Sequence, residues 1–153
     1  MIAEGNVAPD FTLPRDGGAT ITLSALRPGK VVLYFYPKDD TPGCTLEAQD
    51  FNARLAEFTA AGATVIGVSK DSVKSHDKFC KKHGLSIVLA SDEGGQTCED
   101  YGVWLEKSMY GKTYMGVERT TVLIDGAGKV ARVWPKVSVK GHADEVLAAV
   151  KAI

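Results

Sequence analysis

Apolar positions along the chain fall into short continuous runs separated by stretches with helical spacing. Residues 31–36 form an uninterrupted β-prone run that ends at a proline, which predicts a buried central strand. Apolar residues at helical spacing then predict an amphipathic helix over 43–61, ended by Gly62. Similar patterns predict further elements, in chain order: strand 64–69, a helix from 71 or 72 to 83, strand 86–90, a short helix over 96–101, strands 120–124 and 130–134, and a closing helix around 146–150.

Two remaining segments complete the predicted organisation. Residues 10–23 alternate around Gly17 and Gly18, which predicts an N-terminal hairpin. Residues 102–117 contain aromatic residues and methionines without a clean period, so we predict a loop that packs near the functional site. Strands that alternate with helices predict an α/β fold: a mixed central sheet with helices on both faces, in one domain spanning 1–153.

Composition excludes several classes of function. Apolar residues make up 44% of the 153, and the net charge is −1, so there is no basic footprint for nucleic acid. No apolar run is long enough to span a membrane. The first residues show no basic and apolar leader, so we expect a cytoplasmic protein. Because three cysteines cannot all pair, the count favours redox or metal chemistry over a disulfide framework.

The segment 37–47 joins the predicted central strand to the predicted helix and contains Cys44. A cysteine in the first helical turn faces free backbone N–H groups and the positive end of the helix dipole, which favour the thiolate. Thr41, three residues earlier, is placed to direct its hydroxyl at the sulfur, and Gly43 allows close approach to the backbone. Arg119 precedes strand 120–124 and reaches the sulfur if that strand lies beside 31–36.

Each of these residues also has a simpler interpretation. A free cysteine is more often a small buried hydrophobic residue than a nucleophile. Thr41 alone suits a helix N-cap, Glu47 alone suits a solvated first-turn acid, and Arg119 alone suits a surface charge. The position of Cys44 between a strand and a helix is what favours chemistry.

The spacing Pro37-x-x-x-Thr41-x-x-Cys44, with Arg119 opening a later strand, resembles the active-site signature of the peroxiredoxins. The resemblance covers nearly the whole chain and is closest to the peroxiredoxin Q group, also called bacterioferritin comigratory proteins. It also includes Ala8-Pro9-Asp10-Phe11, Tyr34-Phe35-Tyr36-Pro37, Gly67-Val68-Ser69 and Glu118-Arg119-Thr120-Thr121. It implies a thioredoxin-like fold.

The resemblance also implies an activity. Cys44 would be the peroxidatic cysteine, which reduces hydrogen peroxide or alkyl hydroperoxides and becomes a sulfenic acid. Thr41 and Arg119 would hold the two peroxide oxygens, with the backbone N–H groups of Gly43 and Cys44 as further donors. Pro37 would shield the pocket from water, and Glu47 would orient the arginine. A thioredoxin or glutaredoxin would act as reductant on a monomeric protein, with no metal and no cofactor.

A resolving cysteine is implied at one of two places. Many relatives have it five residues after the nucleophile, where this chain has Gln49. Another subgroup has it on the next helix, where Cys80 matches, which implies a Cys44–Cys80 disulfide within one chain. Because a disulfide requires Cα atoms within roughly 7 Å, we expect both helices to unwind locally. A one-cysteine peroxidase without a role for Cys80 remains open, and Cys98 is expected to be structural.

Other functions compete with this hypothesis. Residues at i, i+4 and i+7 on one predicted helix, together with a distant cysteine, offer zinc-type ligands: His76, Cys80, His83 and Cys98. A thiol–disulfide oxidoreductase ordinarily has Cys-x-x-Cys, but Glu47 stands where the second cysteine would be. A non-catalytic chaperone or binding module is a third alternative, without an apolar stripe to support it.

Overall fold

The computed structural model describes residues 2–153, in which nine strands and five α-helices follow one another. The elements are β1 (Thr12–Pro14), β2 (Thr20–Thr22), β3 (Lys30–Phe35), α1 (Pro42–Ala53), α2 (Leu55–Ala60), β4 (Ala63–Ser69), α3 (Val73–His83), β5 (Val88–Ser91), α4 (Thr97–Asp100), β6 (Trp104–Met109), β7 (Lys112–Val117), β8 (Thr120–Ile124), β9 (Val130–Trp134) and α5 (His142–Lys151). β1 and β2 pair as the predicted N-terminal hairpin.

The central sheet has five strands in the order β5-β4-β3-β8-β9. The strands β3, β4 and β5 run parallel, whereas β8 runs antiparallel to β3 and to β9, so the sheet is mixed. In the β3–β8 ladder Phe35 is opposite Thr120. Arg119 therefore lies just beyond the carboxyl end of β3, where the chain continues toward Cys44.

Side chains alternate between two hydrophobic clusters on opposite faces of the sheet. Val32 and Tyr34 of β3 join the cluster that receives buried residues from α1, α2, α3 and α5. Val31 and Leu33 join the second cluster, which includes Cys98 of α4 and residues of the N-terminal segment. Helices thus cover both faces, and the predicted α/β fold class is confirmed.

Helix α1 is anchored to the sheet by an aromatic contact. The Phe51 ring stacks on Tyr34 of β3, with ring centroids 4.8 Å apart, and neither side chain is exposed to any extent. Burying a side chain of this size stabilises the fold by about 1.5–3 kcal/mol. Cys44 lies seven residues before Phe51, two turns along the same face, so this anchor also fixes the start of the helix.

The prediction of one helix over 43–61 is wrong, because the helix breaks at Arg54 (φ −107°, ψ 9°). In a continuous helix the Arg54 N–H would bond the carbonyl of Asp50. Here the Arg54 guanidinium donates to that carbonyl (2.9 Å), and the Arg54 N–H bonds Phe51 O instead. The guanidinium also pairs with Asp144 of α5.

The prediction of a loop over 102–117 is also wrong, because β6 and β7 form a two-stranded antiparallel hairpin. Tyr110 and Gly111 form the connection with φ of 52° and 77°, a backbone suited to tight hairpin turns. Most of its residues are exposed or half-buried on both faces. Because neither face of the hairpin is covered, its sequence lacks the alternation of apolar and polar residues that identifies a strand.

No helix between residues 2 and 153 has both the length and the apolar character needed to cross a bilayer.

Candidate active site

Cys44 lies in the first turn of α1 and is 1% exposed. Thr41 occupies the N-cap position, and Pro42 follows at the first helical position, where the missing N–H costs no intrahelical bond. The backbone N–H groups of Gly43 and Cys44 belong to the turn that has no acceptors within its own helix. These donors lie in the same helical turn as the sulfur.

Arg119 connects the sulfur of Cys44 to the carboxylate of Glu47. Its Nη2 donates to Cys44 Sγ at 3.3 Å, and its Nη1 donates to Glu47 Oε1 at 2.7 Å. Arg119 is 18% exposed at its side chain, and Glu47 is 1% exposed. A guanidinium presents several donors in a fixed plane, so one side chain serves both partners. The structure thus brings Cys44, Glu47 and Arg119 into contact.

Glu47 is a buried acid rather than a solvated one. Burial raises its pKa from 4.5 to about 7, and the charge and hydrogen bond of Arg119 oppose this rise only in part. The second carboxylate oxygen, Oε2, has no hydrogen-bond partner among the described residues. The simpler interpretation of Glu47 as a surface residue is therefore wrong.

Gly43 gives Arg119 room to approach the helix. A Cβ at this position would lie 3.2 Å from Arg119 Nη2, closer than most real Cβ contacts. A larger residue would require Nη2, the atom that contacts the sulfur, to shift by a few tenths of an ångström. The absence of a side chain at Gly43 thus bears directly on the Arg119–Cys44 contact.

Thr41 and Pro37 differ in detail from the predictions. The Thr41 hydroxyl donates to the carbonyl of Lys38 at 2.8 Å, so its proton is directed at the backbone and not at Cys44. Its lone pairs are left to accept a hydrogen bond. Pro37 is exposed, at the surface end of the loop that follows β3.

Cys80 is half-buried on α3, and all three cysteines have free thiols. Burial, followed by the negative charges of Asp16, Asp39 and Asp77, raises the pKa of Cys80 to about 12. In this conformation the Cys80 thiol is a poor nucleophile, because only the thiolate attacks sulfur. Cys80 must leave these surroundings before it can react.

A buried polar network that sequence analysis missed ties the Cys44 loop to α3. Asp39 accepts hydrogen bonds from Tyr36 Oη (2.5 Å) and Ser75 Oγ (2.8 Å), and its carboxylate lies 2.7 Å from His76 Nδ1. The Asp39 N–H donates to Asp71 (2.9 Å). The available clue was an acidic residue in the loop that follows the predicted central strand, together with a histidine on the next predicted helix but one.

His76 has an acceptor at both ring nitrogens: Asp39 at Nδ1, and the carbonyl of Ala90 at Nε2 (3.0 Å). Only the protonated imidazole donates from both nitrogens. Burial opposes this charge, but the hydrogen bond and charge of Asp39 outweigh it and raise the pKa of His76. The pair is therefore a buried ion pair between the loop and α3.

Asp40, the next residue, makes a separate contact with α3 at the surface. Its carboxylate bonds Lys82 Nζ (2.7 Å) and His83 Nε2 (2.9 Å). Asp40 adopts φ of 59°, a left-handed backbone that aspartate tolerates better than most residues.

The four candidate zinc ligands are not brought together. Within residues 2–153, the only three acidic, histidine or cysteine groups with ligand atoms within 4.8 Å of one another are Asp39, Asp71 and His76. His83 bonds Asp40, and Cys98 is buried in the opposite hydrophobic cluster. The zinc hypothesis has no geometric support.

A mixed sheet of this topology, with a buried cysteine at the helix start beyond its central strand, defines the thioredoxin-like class of thiol proteins. A match to the AhpC/TSA family spans residues 5–133. The putative peroxiredoxin bcp of Coxiella burnetii is 51% identical over 146 residues, which is 95% of this chain and 97% of that protein.

Solved structures of peroxiredoxins are also similar to this chain. Peroxiredoxin Q of Xanthomonas campestris has a TM-score of 0.91 and 50% identity, covering 99% of this chain and 96% of that one. Structures described for the alkyl peroxide reduction activity of the Xanthomonas campestris bacterioferritin comigratory protein have a TM-score of 0.91 and 49% identity, covering 99% and 97%. This chain belongs to the AhpC/TSA family, among the peroxiredoxins of the Bcp or peroxiredoxin Q group, and is a thiol peroxidase. The resemblance inferred from the sequence is confirmed.

Proposed function

We propose that Cys44 is the peroxidatic nucleophile and that hydrogen peroxide and organic hydroperoxides are its substrates. The contact of Arg119 Nη2 with Cys44 Sγ at 3.3 Å carries the proposal, because a fixed positive donor stabilises a thiolate. The alkyl peroxide reduction attributed to the Xanthomonas campestris relative supports organic hydroperoxides as substrates.

In the first step the Cys44 thiolate attacks one oxygen of the peroxide. An S–O bond forms, the O–O bond breaks, and the distal oxygen leaves as water or an alcohol after taking up a proton. The cysteine is oxidised to a sulfenic acid and the peroxide is reduced. Arg119 and the N–H groups of Gly43 and Cys44 are donors for the oxygens, and Glu47 holds Arg119 in place. Thr41 accepts a hydrogen bond from the peroxide, and Pro37 borders the entrance.

In the second step Cys80 resolves the sulfenic acid. Its thiolate attacks Cys44 sulfur, an S–S bond forms, and the hydroxyl leaves as water after protonation. The raised pKa of Cys80 in the folded helix supports local unwinding of α3 before this attack. An external dithiol then reduces the disulfide and is itself oxidised. We propose a thioredoxin or glutaredoxin for this role.

We also propose a cellular location and an oligomeric state. Three free thiols suit a reducing compartment, so we place this protein in the cytoplasm, as a single-domain monomer. Light scattering of the purified chain measures the oligomeric state, and a dimer would contradict the monomer.

The deciding experiment follows peroxide consumption in the wild-type protein and in Cys44→Ser, Cys80→Ser and Cys98→Ser variants. We expect Cys44→Ser to abolish the reaction. Cys80→Ser should keep a single turnover but lose sustained turnover with a thioredoxin system. Cys98→Ser, a buried cysteine on the other side of the sheet, serves as the matched control and should retain activity.

Mass spectrometry of the peroxide-treated wild type distinguishes the alternatives. An intrachain Cys44–Cys80 link is expected. A protein that accumulates only sulfenic or sulfinic Cys44 would be a one-cysteine peroxidase. Peroxide consumption that survives in Cys44→Ser would contradict the proposed nucleophile.

A further inference from the structure

Two adjacent aspartates in the loop before Cys44 hold helix α3 on either side of Cys80. Asp39 contacts Ser75 and His76, which lie four to five residues before Cys80. Asp40 contacts Lys82 and His83, which lie two to three residues after it. The loop that leads into the nucleophile is thus attached to the helix of the resolving cysteine at two points.

The two points of attachment differ in environment. The inner one is a buried ion pair, since His76 has no exposed surface and Asp39 is almost fully enclosed. The outer one is nearer the surface, where the Lys82 side chain is 62% exposed, that of Asp40 43% and that of His83 17%. Breaking a buried pair leaves an uncompensated charge, whereas an exposed pair contributes little. The outer contact is therefore the one expected to open first.

These contacts oppose the movement that the second step needs. Cys80 forms a disulfide only if its Cα comes within roughly 7 Å of that of Cys44, with both Cβ atoms facing each other. Cys80 also has to leave a position where burial and nearby aspartates disfavour its thiolate. Unwinding α3 around Cys80 displaces the residues on at least one side of it, and each side is held by an aspartate.

We propose that Asp39 and Asp40 are positioning residues for disulfide formation, whose release from α3 sets the rate at which Cys80 reaches Cys44. This inference rests on the proposed function of Cys80. The two aspartates then also determine how long the sulfenic acid survives. A longer-lived sulfenic acid is exposed to a second peroxide molecule, which oxidises it to a sulfinic acid.

The test weakens the outer contact and leaves the nucleophile's own partners in place. Asp40→Asn removes the charge but retains a residue that tolerates the left-handed backbone. Lys82→Ala removes the partner. Lys81→Ala is the matched control, because Lys81 is exposed on the same helical turn and makes no ion pair with any residue from 2 to 153.

Quenched-flow mass spectrometry follows sulfenic acid and disulfide separately after one equivalent of peroxide. We expect sulfenic acid to form at the wild-type rate in all three variants. Disulfide formation should become about two- to fivefold faster in Asp40→Asn and Lys82→Ala, the scale of an exposed ion pair, and unchanged in Lys81→Ala. The same two variants should accumulate less sulfinic acid at high peroxide.

A second measurement probes the buried contact without depending on thiol chemistry. In a Cys80→Ser background, Asp39→Asn should increase hydrogen exchange of the α3 amides, as should Asp40→Asn to a smaller extent. Lys81→Ala should not. Hydrogen exchange measures the opening of α3 directly, so the comparison remains valid for a variant whose Cys44 reacts slowly with peroxide.

The outcomes separate this inference from the function on which it rests. If the wild type forms no Cys44–Cys80 disulfide, the resolving role of Cys80 and the positioning role of the two aspartates are both overturned. If the wild type forms it but Asp40→Asn and Lys82→Ala resolve no faster than Lys81→Ala, the positioning role is overturned and the proposed function stands.

Discussion

The Nη2 atom of Arg119 lies 3.3 Å from the Sγ atom of Cys44, although 75 positions separate the two residues in the chain. The antiparallel register of β3 and β8 brings them together, because Phe35 at the end of β3 is opposite Thr120. The sheet therefore positions the guanidinium, and the start of α1 positions the sulfur.

Replacing Arg119 should slow the first step strongly. Arg119→Ala removes a preorganised donor, which typically costs about 10²–10³-fold in rate. Arg119→Lys should recover only part of this, because an ammonium group lacks the planar fork that reaches both Cys44 and Glu47. Stopped-flow measurement of Cys44 oxidation gives the rates. Arg132→Ala, a change at a largely exposed arginine on β9, is the control, and equal losses in both alanine variants would contradict the role of Arg119.

Gly43→Ala should separate stability from activity. Gly43 is not among the glycines with positive φ, so alanine can adopt its backbone conformation and thermal stability should be retained. The added Cβ would lie 3.2 Å from Arg119 Nη2 and displace it from the sulfur. We expect the rate of Cys44 oxidation to fall by about tenfold while the melting temperature holds. An unchanged oxidation rate would show that the Arg119 position is not critical.

Glu47 should make the folded protein less stable as pH rises from about 4.5 to about 7. Its pKa is about 7 when folded and near 4.5 when unfolded, so the folded state binds more protons in this window. The contribution of Glu47 to stability is fully present below this window and is lost above it. Glu47→Gln keeps an acceptor for Arg119 and should flatten this part of the profile. Thermal unfolding across pH 4–8 checks it, and parallel profiles for the two proteins would contradict the buried ionisation.

His76 should affect stability in a higher pH range. Its pKa is raised by Asp39 in the folded protein, despite burial, so its contribution is fully present below the unfolded value near 6.5. The contribution is lost as pH rises through the folded pKa. Hydrogen exchange of the α3 amides, corrected for the intrinsic rate at each pH, should show protection falling in the wild type. His76→Gln should lack this fall; if it follows the wild type, the ion pair is not the cause.

Local patterns were sufficient for most elements of the central sheet. The continuous apolar run before Pro37 and the hairpin over 120–134 appear where the sequence places them, and the helix that holds Cys44 begins within one residue of its predicted start but ends earlier. The helix break at Arg54 was not predicted, because the helical spacing of apolar residues continues across it, from Phe51 to Leu55 and Phe58. The β6–β7 hairpin was missed because it buries neither face.

The sequence by itself determined that Cys44 stands at a helix start after a buried strand, since apolar periodicity and the spacing of Thr41 and Gly43 are local properties. Only the tertiary structure decided that Glu47 is buried, that Arg119 reaches the sulfur, and that Asp39 pairs with His76. Contacts of this kind depend on strand register and on desolvation, which arise when distant segments pack together and have no counterpart in neighbouring residues along the chain.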